Sequence, residues 1–146
     1  MMKRALAGAV LAGLLATPAL ALEHEVVIDH AAGPIAADYR GSVRIATKQV
    51  GTAGVAGRPN TLRCQWSASL DVERVAKVGA ALRSQRTLTS ADVANGSRAG
   101  WCPSDPATLD KLVDARSPKM REALMALVEQ DRALLVAEAD TATTRG

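Results

Sequence analysis

Between Leu62 and Val72 the chain alternates without a break: Leu62, Cys64, Trp66, Ala68, Leu70 and Val72 take turns with Arg63, Gln65, Ser67, Ser69 and Asp71. A period of two over this length predicts a half-buried strand whose even positions face the core. A second alternation sets Ile35, Ala37, Tyr39, Gly41, Val43 and Ile45 against Ala36, Asp38, Arg40, Ser42 and Arg44. Gly41 is where such a strand is expected to kink or divide. The run HEVVIDH, His24 to His30, reads as a shorter strand ending in the turn AAGP. A weaker fourth strand is expected near Ala80 to Leu88, and the Gly-rich segment Gly51 to Asn60 connects the second strand to the third. Strands in this order, joined by turns, make an antiparallel meander with one face in water.

The period changes after Pro103. Asp105-Pro106 supplies a capping side chain followed by proline at the first helical position. Leu109, Leu112 and Val113 then form a one-sided stripe, so a helix is expected from Pro106 to about Ala115. Ser117-Pro118 repeats the signal and opens a longer helix reaching about Ala139, with residues 140–146 left as a frayed polar tail. In that helix Met120, Leu124, Leu127, Val128, Leu134 and Leu135 cluster on one side, while Asp131 falls inside the stripe. A charge there is costly unless paired, so either an arginine of the sheet meets it or the helix leaves the body. Met125 and Val136 lie on the opposite side, where a partner could touch the helix. The expected fold is α+β: a meander of three or four strands, then two C-terminal helices, at least one packed on the sheet.

Residues 1–21 have the parts of a secretory signal: Lys3 and Arg4, an Ala/Leu-rich run, Pro18, and the cleavage pattern Ala19-Leu20-Ala21. The remainder, residues 22–146, has the length of one domain with one core. The core must be aliphatic, because the whole chain has no Phe, one Tyr and two Trp. Export to the periplasm is the expectation, with secretion to the exterior as the alternative, and no stable membrane span after cleavage.

Export changes the reading of the two cysteines. In an oxidising compartment, Cys64 and Cys102 are expected to pair. A loop of nearly forty residues closed by that bridge gains about 4 kcal/mol in the chain-entropy model. Both tryptophans sit beside these cysteines, Trp66 two residues on and Trp101 adjacent, and both are expected to pack near the bridge. A nucleophilic thiol would instead need a nearby histidine or helix N-terminus. His24 and His30 lie far off at the N-terminal end and, on one strand, about 20 Å apart, too far to share a metal ion. They are expected to be exposed or at an edge.

No phosphate-binding or dinucleotide motif occurs, and GSRAG at Gly96 to Gly100 departs from the G-x-S-x-G nucleophile elbow. Asp71 and Glu73 fall on the solvent side of their strand, where carboxylates solubilise. No catalytic residue, cofactor or metal is expected.

The net charge of +3 includes Lys3 and Arg4, so the remainder is near neutral and carries no nucleic-acid footprint. Charge is nevertheless uneven, with ten Lys and Arg against four Asp and Glu in residues 35–103. Arg40, Arg44, Lys48 and Arg63 all have the parity of the solvent face, which makes them a candidate anion-binding set for an acidic glycan, a lipid headgroup or an acidic protein. Lysine and arginine there also discourage edge pairing. The expected function is therefore that of a small exported, non-enzymatic binding or envelope-associated domain. Two alternatives are an exported hydrolase-like enzyme with a site invisible in sequence, and an inhibitory or structural module that docks another exported protein through an apolar patch beside Trp101.

Overall fold

The computed structural model describes residues 22–79 and 82–145. The expected signal segment and the start proposed for the fourth strand, Ala80, lie outside the described residues. Four strands, β1 (Leu22–Ile28), β2 (Ile35–Val50), β3 (Arg63–Val78) and β4 (Leu82–Ala99), precede two helices, α1 (Pro106–Asp114) and α2 (Ser117–Arg145). The sheet is an antiparallel meander in the order β1-β2-β3-β4. The fold is the expected α+β meander with one helix laid on it.

β2 runs unbroken through Gly41 and is not divided there. The missing side chain there makes room instead: a Cβ would stand 2.9 Å from the Leu22 Cβ and 3.1 Å from the Leu70 Cδ1. β4 extends eleven residues beyond the expected Leu88. Its second half, TSADVANGSRA, lacks apolar alternation because it is an edge strand carrying a bulge. Pairing with β3 jumps from Ser90 to Ala94 while β3 moves only from Leu70 to Ala68. Asp92 takes up the slack at φ 49°, and its N–H donates to the Ser69 hydroxyl at 3.3 Å. Two extra residues preserve parity, so even positions of β3 and β4 share one face on both sides of the bulge.

That inner face carries the core. Ile35, Ala37 and Tyr39 of β2 and Trp66, Ala68, Leu70 and Val72 of β3 are buried, as are Met120, Leu124, Leu127, Val128, Leu135 and Ala139 of α2. The α2 positions recur at spacings of three and four, so they form one stripe, and α2 touches all four strands. Leu134, assigned to this stripe from sequence, is 43% exposed; its place is taken by Asp131 and Ala139, one helical turn either side of Leu135. Burying one leucine or methionine of this stripe stabilises the fold by roughly 1.5–3 kcal/mol.

Both helix starts use the expected residues in slightly different roles. The Asp105 carboxylate accepts from the Thr108 N–H at 2.9 Å and caps α1. At α2 the cap position is Arg116, whose carbonyl takes the N–H groups of Lys119 and Met120, so Ser117 and Pro118 occupy the first turn. The tail expected to fray is helical to Arg145. Thr141, Thr143 and Thr144 turn their hydroxyls onto carbonyls four residues back, and Ala139 is fully buried.

α2 spans 29 residues, about 43 Å, whereas the 16 residues of β3 span about 53 Å. The helix begins over Trp66, with the Arg116 guanidinium 5.6 Å from the ring centroid. The β3 start, the β4 end and the 51–62 connection therefore project past it. At that end Cys64 and Cys102 form the expected disulfide. The bridge sits on the second residue of β3, at the strand's start, and ties that strand to the segment leading from β4 into α1.

Candidate anion-binding face

Arg40, Arg44, Lys48 and Arg63 all stand on the outer, helix-free face of the sheet and are exposed. They fall into two groups with different surroundings. Arg44 donates from Nε and NH2 to the two Asp71 carboxylate oxygens at 3.1 and 3.2 Å. The Thr89 hydroxyl donates to the same carboxylate at 2.9 Å. Thr89 first, and Arg44 after it, hold the Asp71 carboxyl below its ordinary 3.8. Arg40 is in register between Glu23 of β1 and Glu73 of β3, and Glu73 accepts from the Gln85 amide. A depression of about 350 Å³ beside them is lined by Asp38 and Glu73 as well as Arg40, Lys77 and Arg83. This half of the face is a mixed lattice of both signs.

The half nearer the disulfide differs. Residues 46–70 and 93–104 contain no Asp or Glu. They carry Lys48, Arg58, Arg63 and Arg98, all exposed; of the strand residues among them Lys48 and Arg63 stand on the outer face, while Arg98, in register with Cys64, has the parity of the inner one. The next acid along the chain, Asp105, turns its carboxylate onto Thr108. In register, Ala46 faces Ser67 and Ser67 faces Asn95, while Lys48 faces Gln65 and Gln65 faces Ser97. These six residues line a shallow trough of about 610 Å³ on the outer face. Small side chains at Ala46 and Ser67 lower its floor; two amides, two hydroxyls and an ammonium surround it. Arg63 stands at its edge, donating from Nε to the Ser97 hydroxyl at 3.0 Å. Lys48 and Arg63 are diagonal neighbours, roughly 7–8 Å apart at their Cα atoms, so their repulsion is on the order of 1 kcal/mol at an exposed site. An anion between them relieves it.

The backbone beneath the trough is rigidly held. The Gln49 amide donates to the carbonyls of Arg63 (3.0 Å) and Gly100 (3.2 Å) and accepts from the Cys102 N–H at 2.6 Å. One side chain thus binds the ends of β3 and β4 together beside the disulfide. On the inner side the Trp66 ring lies against Gly96, where a Cβ would stand 2.8 Å from three ring atoms. Gly96, which sequence inspection treated only as part of a failed nucleophile motif, is the seat of that tryptophan. Trp101 departs from expectation: it is 69% exposed. Gly100 adopts φ +93° and turns the chain so that Cys102 reaches inward while Trp101 points to solvent.

A second cluster lies between sheet and α2. Arg74 and Asp131 are each 1% exposed. Arg74 NH1 donates to both Asp131 oxygens at 3.3 and 3.1 Å, and the Tyr39 hydroxyl donates to Asp131 Oδ2 at 2.9 Å. Arg74 NH2 bonds both Glu138 oxygens at 3.3 and 3.2 Å, and Ser84 donates to Glu138 at 3.0 Å. The sheet arginine thus meets the helix aspartate, which settles the choice left open in the sequence. Burial, and then the Asp131 carboxylate that accepts its proton, push the Tyr39 phenol well above its ordinary 10. The Ser84–Glu138 contact has the parts of a nucleophile and a base, but both carboxylate oxygens are bound by Arg74, with Arg86 at 3.7 Å. The arrangement clamps the helix to the sheet.

His30 is mostly covered, with 10% of its side chain exposed, and contacts Asp140 through Nε2 at 2.7 Å. Its Nδ1 accepts from the Ala32 N–H at 3.1 Å, so Nε2 carries the proton that Asp140 accepts. The residue, just past the edge strand β1, ties the β1–β2 turn to the end of α2. Among the described residues no group of three His, Cys, Asp or Glu could hold a metal ion, and no helix is long and apolar enough to cross a membrane. A comparison with protein-family models, curated proteins and solved structures finds no match to this chain.

Proposed function

We propose that the chain is an exported, non-enzymatic binding domain that holds an anionic, hydroxyl-bearing component of the cell envelope on the outer face of its sheet. The observation that carries this reading is the segregation of charge: cations without a single acid at the trough end, a mixed lattice at the other. Lys48 and Arg63 answer the negative group of the ligand, and the amides of Gln65 and Asn95 and the hydroxyls of Ser67 and Ser97 answer its hydroxyls as donors and acceptors. Arg40 and Arg44, already faced by carboxylates, contribute less. Export is supported by the signal pattern of residues 1–21 and is compatible with the disulfide.

Retention on a heparin matrix at low salt tests the site. Replacing Lys48 and Arg63 together by glutamine should weaken retention by about two- to thirtyfold in affinity, at roughly 0.2–1 kcal/mol per exposed contact. The paired substitution Arg40→Gln/Arg44→Gln should change it little. Equal losses in the two double variants, or no retention of the unaltered chain, would remove the reading.

A further inference from the structure

We infer that the disulfide end of the molecule docks on an anionic lipid bilayer, with Trp101 and Val55 entering the headgroup region and the neighbouring cations facing lipid phosphates. This rests on the anionic-partner reading above and names the partner. Trp101 and Val55 are 69% and 67% exposed, and they stand on two separate loops that leave the same end of the sheet. The 51–62 loop is closed at its base by the Thr61 N–H to Thr52 carbonyl bond. The loop that carries Trp101 is anchored to it by the Gly100 N–H to Leu62 carbonyl bond and by Gln49. Among the described residues the other large exposed apolar side chains, Val27, Met125 and Leu134, belong to β1 and α2.

The chain segments at this end carry charge of one sign as far as Asp105, whose carboxylate is turned onto Thr108. Lys48, Arg58, Arg63 and Arg98 accompany these two side chains, and residues 46–70 and 93–104 offer no acid to oppose them. A uniformly anionic surface fits that pattern, since each basic residue near such a leaflet contributes about 1 kcal/mol. A tryptophan held at the water boundary is the side chain most at home among headgroups. A protein partner fits less well, because a stable interface buries about 800 Å² per side around a packed apolar centre. Here one Trp and one Val stand apart, the latter flanked by Gly and Ala in TAGVAG.

The chain matured at the proposed cleavage site, beginning at Leu22, is used, free of the apolar segment before it. It is sedimented with vesicles of phosphatidylcholine alone and of equal parts phosphatidylcholine and phosphatidylglycerol. Binding to the mixed vesicles only, with a blue shift of tryptophan emission, is expected; Trp66 is already buried, so the shift reports Trp101. Trp101→Ser should lower vesicle partition about tenfold while leaving heparin retention intact. Lys48→Gln/Arg63→Gln should lower partition about thirtyfold. Heparin retention without vesicle binding would overturn bilayer docking and leave the anionic-partner reading standing. Loss of both would overturn both. Partition unchanged by Trp101→Ser, or equal for the two vesicle types, would also overturn the docking.

Discussion

Replacing Asp131 by alanine should destabilise the protein severely, although the residue lies on a surface helix far from the trough. Two costs are involved. Arg74, 1% exposed, would lose both of its Asp131 bonds, and breaking a buried pair from one side costs about 3–5 kcal/mol. The Tyr39 hydroxyl would lose its acceptor, for about 1–3 kcal/mol more. Glu138 still faces Arg74 and recovers part of this, so a net loss of about 4 kcal/mol is expected. With a urea dependence near 2 kcal/mol per molar, the midpoint should fall by about 2 M. Arg74→Met should cost a similar amount, since it strands the carboxylate. The double variant Arg74→Met/Asp131→Leu should lose far less than the two singles together. It removes both buried charges and also the Arg74 Nε, a buried donor without a partner among the described residues. Urea denaturation of the four proteins forms a double-mutant cycle. Additive single costs, or singles below about 1 kcal/mol, would refute the claim that these charges are held by one another.

The chain has a single tyrosine, so its ionisation can be followed directly by absorbance. Tyr39 should show no phenolate between pH 10 and the onset of alkaline unfolding, because its folded-state value is raised. Stability should therefore be full below pH 10 and decline above it, as the unfolded chain ionises first; a native titration near pH 10 would contradict the buried Tyr39–Asp131 bond. Gly96→Ala places a Cβ 2.8 Å from the Trp66 ring and should cost about 1–3 kcal/mol in chemical denaturation. It should also displace the ring from Arg116. An unchanged midpoint would mean that the ring does not lie on Gly96.

Elements whose side chains alternate or recur strongly were legible from sequence: β2, β3, the cap at Asp105 and the α2 stripe. β4 was read only as far as Leu88, because a bulge and edge polarity erase the period from Thr89 onward. Arg74 was equally readable, since the even parity of Leu62 to Val72 carries straight on to it. An arginine on the core face and an aspartate in the helix stripe are each anomalous alone and make sense as a pair. The cations of the outer face were found by parity, but their neighbours across the strands were not. Register pairs Arg40 with two glutamates and leaves Lys48 beside Gln65, and register is a property of the assembled sheet. Trp101 was misplaced because adjacency to a cysteine says nothing of direction when Gly100 reverses the chain between them. The tail from Asp140 was read as frayed from its composition, whereas its three threonines bond back onto the helix.

Amide chemical-shift mapping during titration with a sulfated oligosaccharide tests the central claim most directly, since it shows where an anion sits. Shifts are expected to concentrate at Lys48, Gln65, Ser67, Asn95 and Ser97, with Asp38, Arg40 and Glu73 nearly still. Shifts centred on the latter group, or none on the outer face, would contradict it.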